Sequence, residues 1–357
     1  MTRALRICLI ASNRHPIRQP FAGGLEAITH SLARELTRRG HLVSVFAAPG
    51  SDPLLGAIEL PVPTFYASAA SAADVNAPSQ RWMGDHHAYL GLMLELADQG
   101  ASRFDVVHNN SLHHLPVAMA GTVSIPVVTT LHTPPVPWLE SAVVLAPDAS
   151  AFTAVSAFTA RSWEHVVSST PILNGVDTDA WPAGAGGGPA VWSGRVVREK
   201  APHLAIDACR SAGIPLLLAG PVLDRSYFED EITARLDADV VYLGHLDHRS
   251  LAVLLGQASV AVVTPGWDEP YGLVAAEAMS CGTPVAAFAR GALPELVLPC
   301  GGFLAAPDDV DDLARAVRHA INLDRAPVRA HAVEHCSLAR MVDDYVSFYA
   351  EVMDAAA

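Results

Sequence analysis

Lysine is almost missing from this chain. Of 23 basic residues, 22 are arginine, and the single lysine is Lys200. Arginine is used wherever either cation would serve, so position 200 stands out as one that wants a compact ammonium on a flexible stem. Charge of any sign is sparse. Only 17% of residues are charged, against roughly 25% in an average soluble protein. Hydrophobic residues make up 51%, the opposite of the balance that disorder requires. The 23 basic residues face 37 acidic ones, for a net charge of −14. That balance gives no long-range pull toward nucleic acid or anionic lipid. The seven arginines from Arg3 to Arg39 read as solvated helix and strand ends. No apolar run approaches the ~18 residues of a membrane span. Arg6 interrupts the first apolar stretch and residues 12–18 are polar, so no secretory signal is expected.

Cysteine is scarce as well. Cys8, Cys209, Cys281, Cys300 and Cys336 are far apart and form no C-x-x-C. They read as buried thiols in a reducing cytoplasm, neither a disulfide framework nor a metal site. Walker loops, G-x-S-x-G and G-x-G-x-x-G are also absent. His331-Ala-Val-Glu334-His335 matches the H-x-x-E-H zinc pattern. Only 22 residues follow it, which leaves little room for a further ligand, so no metal is expected.

What is present is repeated alternation of short apolar runs with helical segments. At ~150 residues per domain, the 357 residues suggest two domains. Residues 5–11 and 42–47 read as strands. Between them Leu25, Ile28, Leu32 and Leu36 recur at helical spacing, and Gly40 stops the helix. Runs at 105–108, 126–131 and 152–155 continue the pattern. Residues 61–101 are less regular and read as a helical insertion near a cleft. A break falls near 174–190, with a turn at Asn174-Gly175-Val176-Asp177 and a glycine-rich stretch. Alternation then resumes, with strands expected at 190–193, 214–219, 240–243, 260–264 and 284–288. Helices are expected at 203–212, 227–236, 250–257 and 272–280. Two successive parallel α/β domains follow, and ligands of such sheets bind beyond the carboxyl ends of the strands.

Two stretches carry chemistry. In Trp267-Asp268-Glu269-Pro270-Tyr271-Gly272-Leu273, followed at an eight-residue spacing by Glu277, two carboxylates straddle a helix start. Glu277 is expected about two turns into that helix. Free N–H groups at Tyr271, Gly272 and Leu273 would attract an anion, and the acids suit sugar hydroxyls. In Ser193-Gly194-Arg195 through Lys200-Ala201-Pro202, a strand-end loop offers a guanidinium and an ammonium to a diphosphate. Gly23-Gly24 before the first helix would permit close backbone approach. His108, His113, His114 and His132 fall near strand ends of the first domain.

Taken together, Gly23-Gly24-Leu25-Glu26, Thr130-Leu131-His132-Thr133, Asn174-Gly175-Val176-Asp177, Gly194-Arg195, Glu199-Lys200 and Glu269-x7-Glu277 occur in an order that resembles retaining glycosyltransferases of family 4, over nearly the whole length. The resemblance implies a GT-B fold, with two Rossmann-like domains facing across a cleft. It implies an acceptor-binding domain at 1–173 and a nucleotide-sugar-binding domain at 174–340. A helix at 341–357 would cross back onto the first domain. Arg195 and Lys200 would bind the donor diphosphate, Glu269 and the backbone of Tyr271, Gly272 and Leu273 the sugar, and Glu277 the ribose. Gly23 and Gly24 would face the diphosphate, and His132 would lie at the reaction centre. The reaction implied is metal-independent and cofactor-free transfer from a nucleotide-diphosphate sugar, UDP first, to a small soluble acceptor in a bacterial cytoplasm. Two departures stand out. The family often has H-x-H where this chain has His108-Asn109-Asn110, which leaves Asn110, His113 and His114 as acceptor-side candidates. Ala201 replaces a usual glycine, read as a mild change. Other readings are a sugar-nucleotide epimerase or hydrolase of the same fold, and a non-catalytic partner protein.

Overall fold

The computed structural model describes residues 3–55 and 57–356. The chain divides into two α/β units. Unit 1 holds Met1–Val155, Thr159–Ile172 and Val342–Ala357, and unit 2 holds Ser156–Phe158 and Leu173–Met341. Among the described residues, no helix is long and apolar enough to cross a membrane.

In unit 1, β1 (Arg6–Ile10) leads to α1 (Gly24–Arg38), β2 (Leu42–Phe46) and β3 (Ile58–Glu59). Then come α2 (Gln80–Arg103), β4 (Val106–Asn109), β5 (Val127–Leu131), α3 (Pro137–Leu145), β6 (Ala151–Ala154) and β7 (Thr170–Pro171). The sheet order is β3-β2-β1-β4-β5-β6-β7, with parallel pairing throughout. Strands β4 and β5 are buried along their whole length, as expected when crossover helices cover both faces. The expected insertion at 61–101 is corrected: α2 is the crossover that joins β3 to β4. Its Ala88, Tyr89, Leu92, Met93 and Leu96 pack into the sheet core. The reading failed because histidines and a glycine interrupt the apolar stripe in its first half. The last helix, Leu338–Ala356, enters unit 1 from Val342. Its Tyr345 and Tyr349 are fully buried there. The Tyr349 hydroxyl meets Nδ1 of buried His108 at 2.6 Å, and Thr130 holds the imidazole's Nε2 at 2.7 Å.

In unit 2, β8 (Ala190–Ser193) is followed by α4 (Pro202–Ala212), β9 (Leu216–Ala219), β10 (Val240–Tyr242), α5 (His248–Gln257) and β11 (Ala261–Val263). The second half adds α6 (Leu273–Ser280), β12 (Val285–Phe288), β13 (Gly302–Ala305), α7 (Val310–Ala320) and α8 (Arg325–His335). The order β10-β9-β8-β11-β12-β13 is again all parallel. The helix expected at 227–236 is broken into an α turn (Arg225–Tyr227), a π turn (Phe228–Ile232) and a 3-10 turn (Thr233–Arg235). Here Thr233 donates its hydroxyl to the carbonyl of Phe228 (3.1 Å), while the Phe228 ring packs on Tyr242. One thiol reading is corrected: Cys300 is exposed, on the loop before β13, whereas the other four cysteines are buried.

Both sheets reverse their order beside their first strand, between β1 and β4 in unit 1 and between β8 and β11 in unit 2. Those reversals open a crevice beyond the strand ends, where ligands of doubly wound sheets bind.

Candidate active site

The loops that leave β8 and β11 flank the crevice of unit 2, and a chain of hydrogen bonds ties them together. Trp192, in β8, donates its indole N–H to the Thr264 hydroxyl just past β11 (3.1 Å). That hydroxyl lies 3.0 Å from the carbonyls of both Lys200 and Ala201. The Gly266 N–H donates to the Glu199 carbonyl (2.8 Å). With the backbones clamped, the Lys200 ammonium makes an ion pair with the Glu269 carboxylate. It also lies 5.3 Å from the centre of the Trp267 ring, within cation–π range. The sequence reading gave no role to Thr264, Trp192 or Trp267. Trp267 sits two residues before Glu269, and that proximity was the available signal. Arg195 occupies the same loop as Lys200, partly exposed and paired with Glu199 at 3.1 Å.

Ala201 adopts the left-handed conformation (φ 44°, ψ 50°). An L side chain in that region carries strain that glycine would not. Gly272 caps α6 with φ 101°, and a Cβ there would lie 2.7 Å from the Leu293 side chain. The left-handed backbone favours glycine here, and any Cβ would press on the end of the Leu293 side chain. The Ala275 and Ala276 N–H groups donate to the Gly272 carbonyl (3.0 and 3.2 Å). The N–H groups ahead of them begin the helix and have no intrahelical acceptor. Glu277 is four residues past Leu273, so it lies about one turn into α6 and not two. Burial pushes its carboxyl up to about 8.

In unit 1, Gly23 precedes α1 in extended backbone (φ −168°) that any residue adopts. Conformation gives no reason for a glycine at 23; the group nearest to where a Cβ would stand is the Glu26 carboxylate, 3.2 Å away. Gly24 opens the helix. His132, just past β5, is buried, and its Nε2–H donates to Oδ1 of Asn110 at 2.8 Å. Asn110 follows β4, so it stands in direct contact with the histidine of the next strand. Burial drives the His132 imidazole down to about 3. His113 stacks on Tyr89 (4.3 Å) and on His114 (4.4 Å). Within unit 2 the structure thus joins Lys200 to Glu269, and within unit 1 it joins Asn110 to His132.

The H-x-x-E-H stretch is structural. His331 packs inside unit 2, its Nε2–H donating to the Leu296 carbonyl (3.0 Å). Among the described residues, no three His, Cys, Asp or Glu side chains come together as a metal-ligand group.

Comparison with known proteins gives this geometry a context. The family model for glycosyl transferases group 1 matches residues 189–334, and that for glycosyltransferase family 4 matches residues 22–180. The glycogen synthase of Mycobacterium tuberculosis is 29% identical over 387 residues, covering 96% of this chain and 91% of its own. Among solved structures, sucrose-phosphate synthase from Thermosynechococcus elongatus has a TM-score of 0.78 at 19% identity, covering 98% of this chain and 99% of its own. Anabaena Alr3699/HepE in complex with UDP-glucose has a TM-score of 0.73 at 20% identity, covering 97% of this chain and 100% of its own. Two all-parallel units with a Lys–Glu pair at one sheet reversal, matched by both family models in succession, mean that this chain belongs to the group 1, family 4 glycosyltransferases and is a hexosyltransferase of the GT-B fold.

Proposed function

We propose that the enzyme moves a sugar from a UDP-sugar to a hydroxyl of a small acceptor, with retention of anomeric configuration and with neither metal nor cofactor. One observation carries the donor side: the ammonium of Lys200 facing the carboxylate of Glu269 at the sheet reversal of unit 2. Without a donor the two neutralise each other. An arriving diphosphate competes for Lys200, and Glu269 then turns to the hydroxyls of the transferred sugar. Arg195 leaves Glu199 for the same diphosphate. The N-terminus of α6 and the backbone of Tyr271, Gly272 and Leu273 add partial positive charge. Glu277 holds the ribose. The Anabaena neighbour's complex with UDP-glucose supports uridine as the first choice of base.

In the reaction, the bond from the anomeric carbon to the β-phosphate oxygen breaks, and that oxygen leaves with the electron pair. The acceptor oxygen bonds to the anomeric carbon from the same face, and its proton passes to the departing phosphate oxygen. Arg195, Lys200 and the helix end stabilise the growing phosphate charge, the work a metal does elsewhere. His132 stays neutral throughout and acts by hydrogen bonding, held in one tautomer by Asn110. Gly23 and Gly24, at the start of α1, are proposed to contact the donor diphosphate through their backbone. The free thiols suit a cytoplasmic setting.

The test is a thermal-shift panel of UDP, GDP, ADP and dTDP, first with EDTA and then with magnesium. A ligand at 100 times its dissociation constant stabilises by ~2.7 kcal/mol. The expected result is a shift with UDP that magnesium does not enlarge. A shift that needs magnesium, or none with any diphosphate, overturns the proposal.

A further inference from the structure

Unit 1 carries a cluster of rings that the donor chemistry does not use. Trp82 and His86 lie on the first turns of α2 and stack face to face at 5.1 Å. His86 meets His114 at 6.2 Å, His114 meets Trp138 at 5.3 Å, and Trp138 closes the circuit on Trp82 at 6.2 Å. His113 extends the cluster inward, between His114 and the buried Tyr89. Three separate elements supply these rings: α2, the loop after β4, and the start of α3.

Two features mark the cluster as a binding surface and not as core. Trp138 is 63% exposed, although burying an indole would be favourable. Nδ1 of His86 is buried and has no hydrogen-bond partner among the described residues. The location agrees. The loop with His113 and His114 begins at Asn110, and the loop leading to Trp138 begins at His132. Asn110 and His132 are hydrogen-bonded to each other. The rings therefore stand at the carboxyl edge of the unit 1 sheet, on the same two loops as the His132–Asn110 pair.

We infer that this cluster is the acceptor platform, and that its occupant is an uncharged pyranoside whose C–H face stacks on Trp138 and Trp82. The inference rests on the transferase reading above and narrows its acceptor. Indole and neutral imidazole combine apolar faces with N–H and N edges, which match the faces and the hydroxyls of a sugar ring. Burial holds His113 down to about 3 and lowers His114 as well, so these faces carry no charge near neutral pH. Among the described residues, no arginine or lysine lies over the face of any of these rings, so the faces offer stacking and not ion pairing; Arg14 acts on His113 and Tyr89 at the inner end of the cluster, away from the exposed Trp138.

The experiment titrates glucose, maltotriose and glucose 6-phosphate into the intact enzyme and follows the heat of binding by isothermal titration calorimetry. Wild type is compared with Trp138→Leu and Trp138→Phe, and each variant is also melted with UDP. A saturable heat with maltotriose is expected in wild type. It should vanish in Trp138→Leu and return in part in Trp138→Phe, which restores a ring. The acceptor KM should rise about tenfold in Trp138→Leu, the order expected for losing an aromatic stack. An unchanged UDP shift in all three proteins shows that folding and the donor side are intact. The inference is overturned if maltotriose gives no saturable heat, if Trp138→Leu binds it like wild type, or if only glucose 6-phosphate binds. Loss of the UDP shift in wild type would overturn the donor reading instead, while a Trp138-dependent maltotriose signal would still stand.

Discussion

Lys200 is the residue on which the proposed donor site turns. It is the only lysine in the chain, and its ammonium holds both a carboxylate and an indole face. Lys200→Ala and Arg195→Ala should each cost ~1.5–3 kcal/mol in kcat/KM for the nucleotide-sugar, the range for a charged hydrogen bond. Unchanged kinetics in both would remove the diphosphate assignment. Glu277 makes a different prediction. The folded carboxyl keeps its proton up to about 8, against an ordinary value of 4.5. Between those values the folded chain binds more protons than the unfolded one, so stability falls as pH rises through the window. Glu277→Gln keeps the shape and cannot ionise. Its melting temperature relative to wild type should therefore climb from about pH 5 to about pH 8.5, and a constant offset would mean that Glu277 is already charged in the empty site. The sequence singled out Lys200, Glu269 and Glu277 because each lies in a short motif beside a strand or helix end, and the structure pairs the first two. The Asn110–His132 bond was not. The two residues are 22 apart, and only the parallel register of β4 on β5 brings them together.

At the scale of elements, Ala201 shows what a motif departure means physically. It ends the turn after β8 and starts α4, and left-handed backbone there aims Lys200 while Pro202 opens the helix. Ala201→Gly removes strain of ~1–2 kcal/mol. It also deletes a buried methyl group worth ~0.8 kcal/mol and adds chain entropy of ~0.5–1 kcal/mol. Near-neutral stability is the expected outcome. Ala201→Val, with a branched Cβ in that region, should cost about 2 kcal/mol or more. Urea unfolding separates the two, and equal stability of all three proteins would mean that the turn relaxes freely. Most strands could be read from the sequence because fully buried parallel strands are nearly continuous apolar runs. The readings erred by a residue or two at the ends and passed over β3 and β7, which are two residues long, and the four-residue β13, whose Gly302 and exposed Phe303 break the apolar run. Helices α3, α7 and α8 were also passed over. The buried residues of α7, Leu313, Ala314, Ala316, Val317 and Ala320, line one face of a strongly amphipathic helix, so its signal was present at helical spacing and went unused.

For the whole molecule, the functional division between the units is itself testable. Every group proposed for the donor except Gly23 and Gly24 belongs to unit 2, within residues 193–202 and 264–277. His132, Asn110 and the ring cluster belong to unit 1. The C-terminal helix crosses that division in sequence, leaving unit 2 after Met341 and burying Tyr345 and Tyr349 in unit 1. Amide hydrogen exchange reads both units in one experiment, because a ligand slows the local openings of the segments that it contacts. UDP alone should protect peptides within 193–202 and 264–277, with a smaller effect at 23–26. Peptides covering 80–90, 111–115 and 133–140 should be unaffected. Adding maltotriose should slow exchange in those three unit 1 peptides, and their response should be lost in Trp138→Leu while the UDP response persists. Protection by UDP that falls on the ring cluster, with none at 193–202, would reverse the assignment of donor and acceptor to the two units. Lys200 and Glu269 would then be a structural ion pair, since a diphosphate bound to Lys200 has to change the exchange of the loop that carries it.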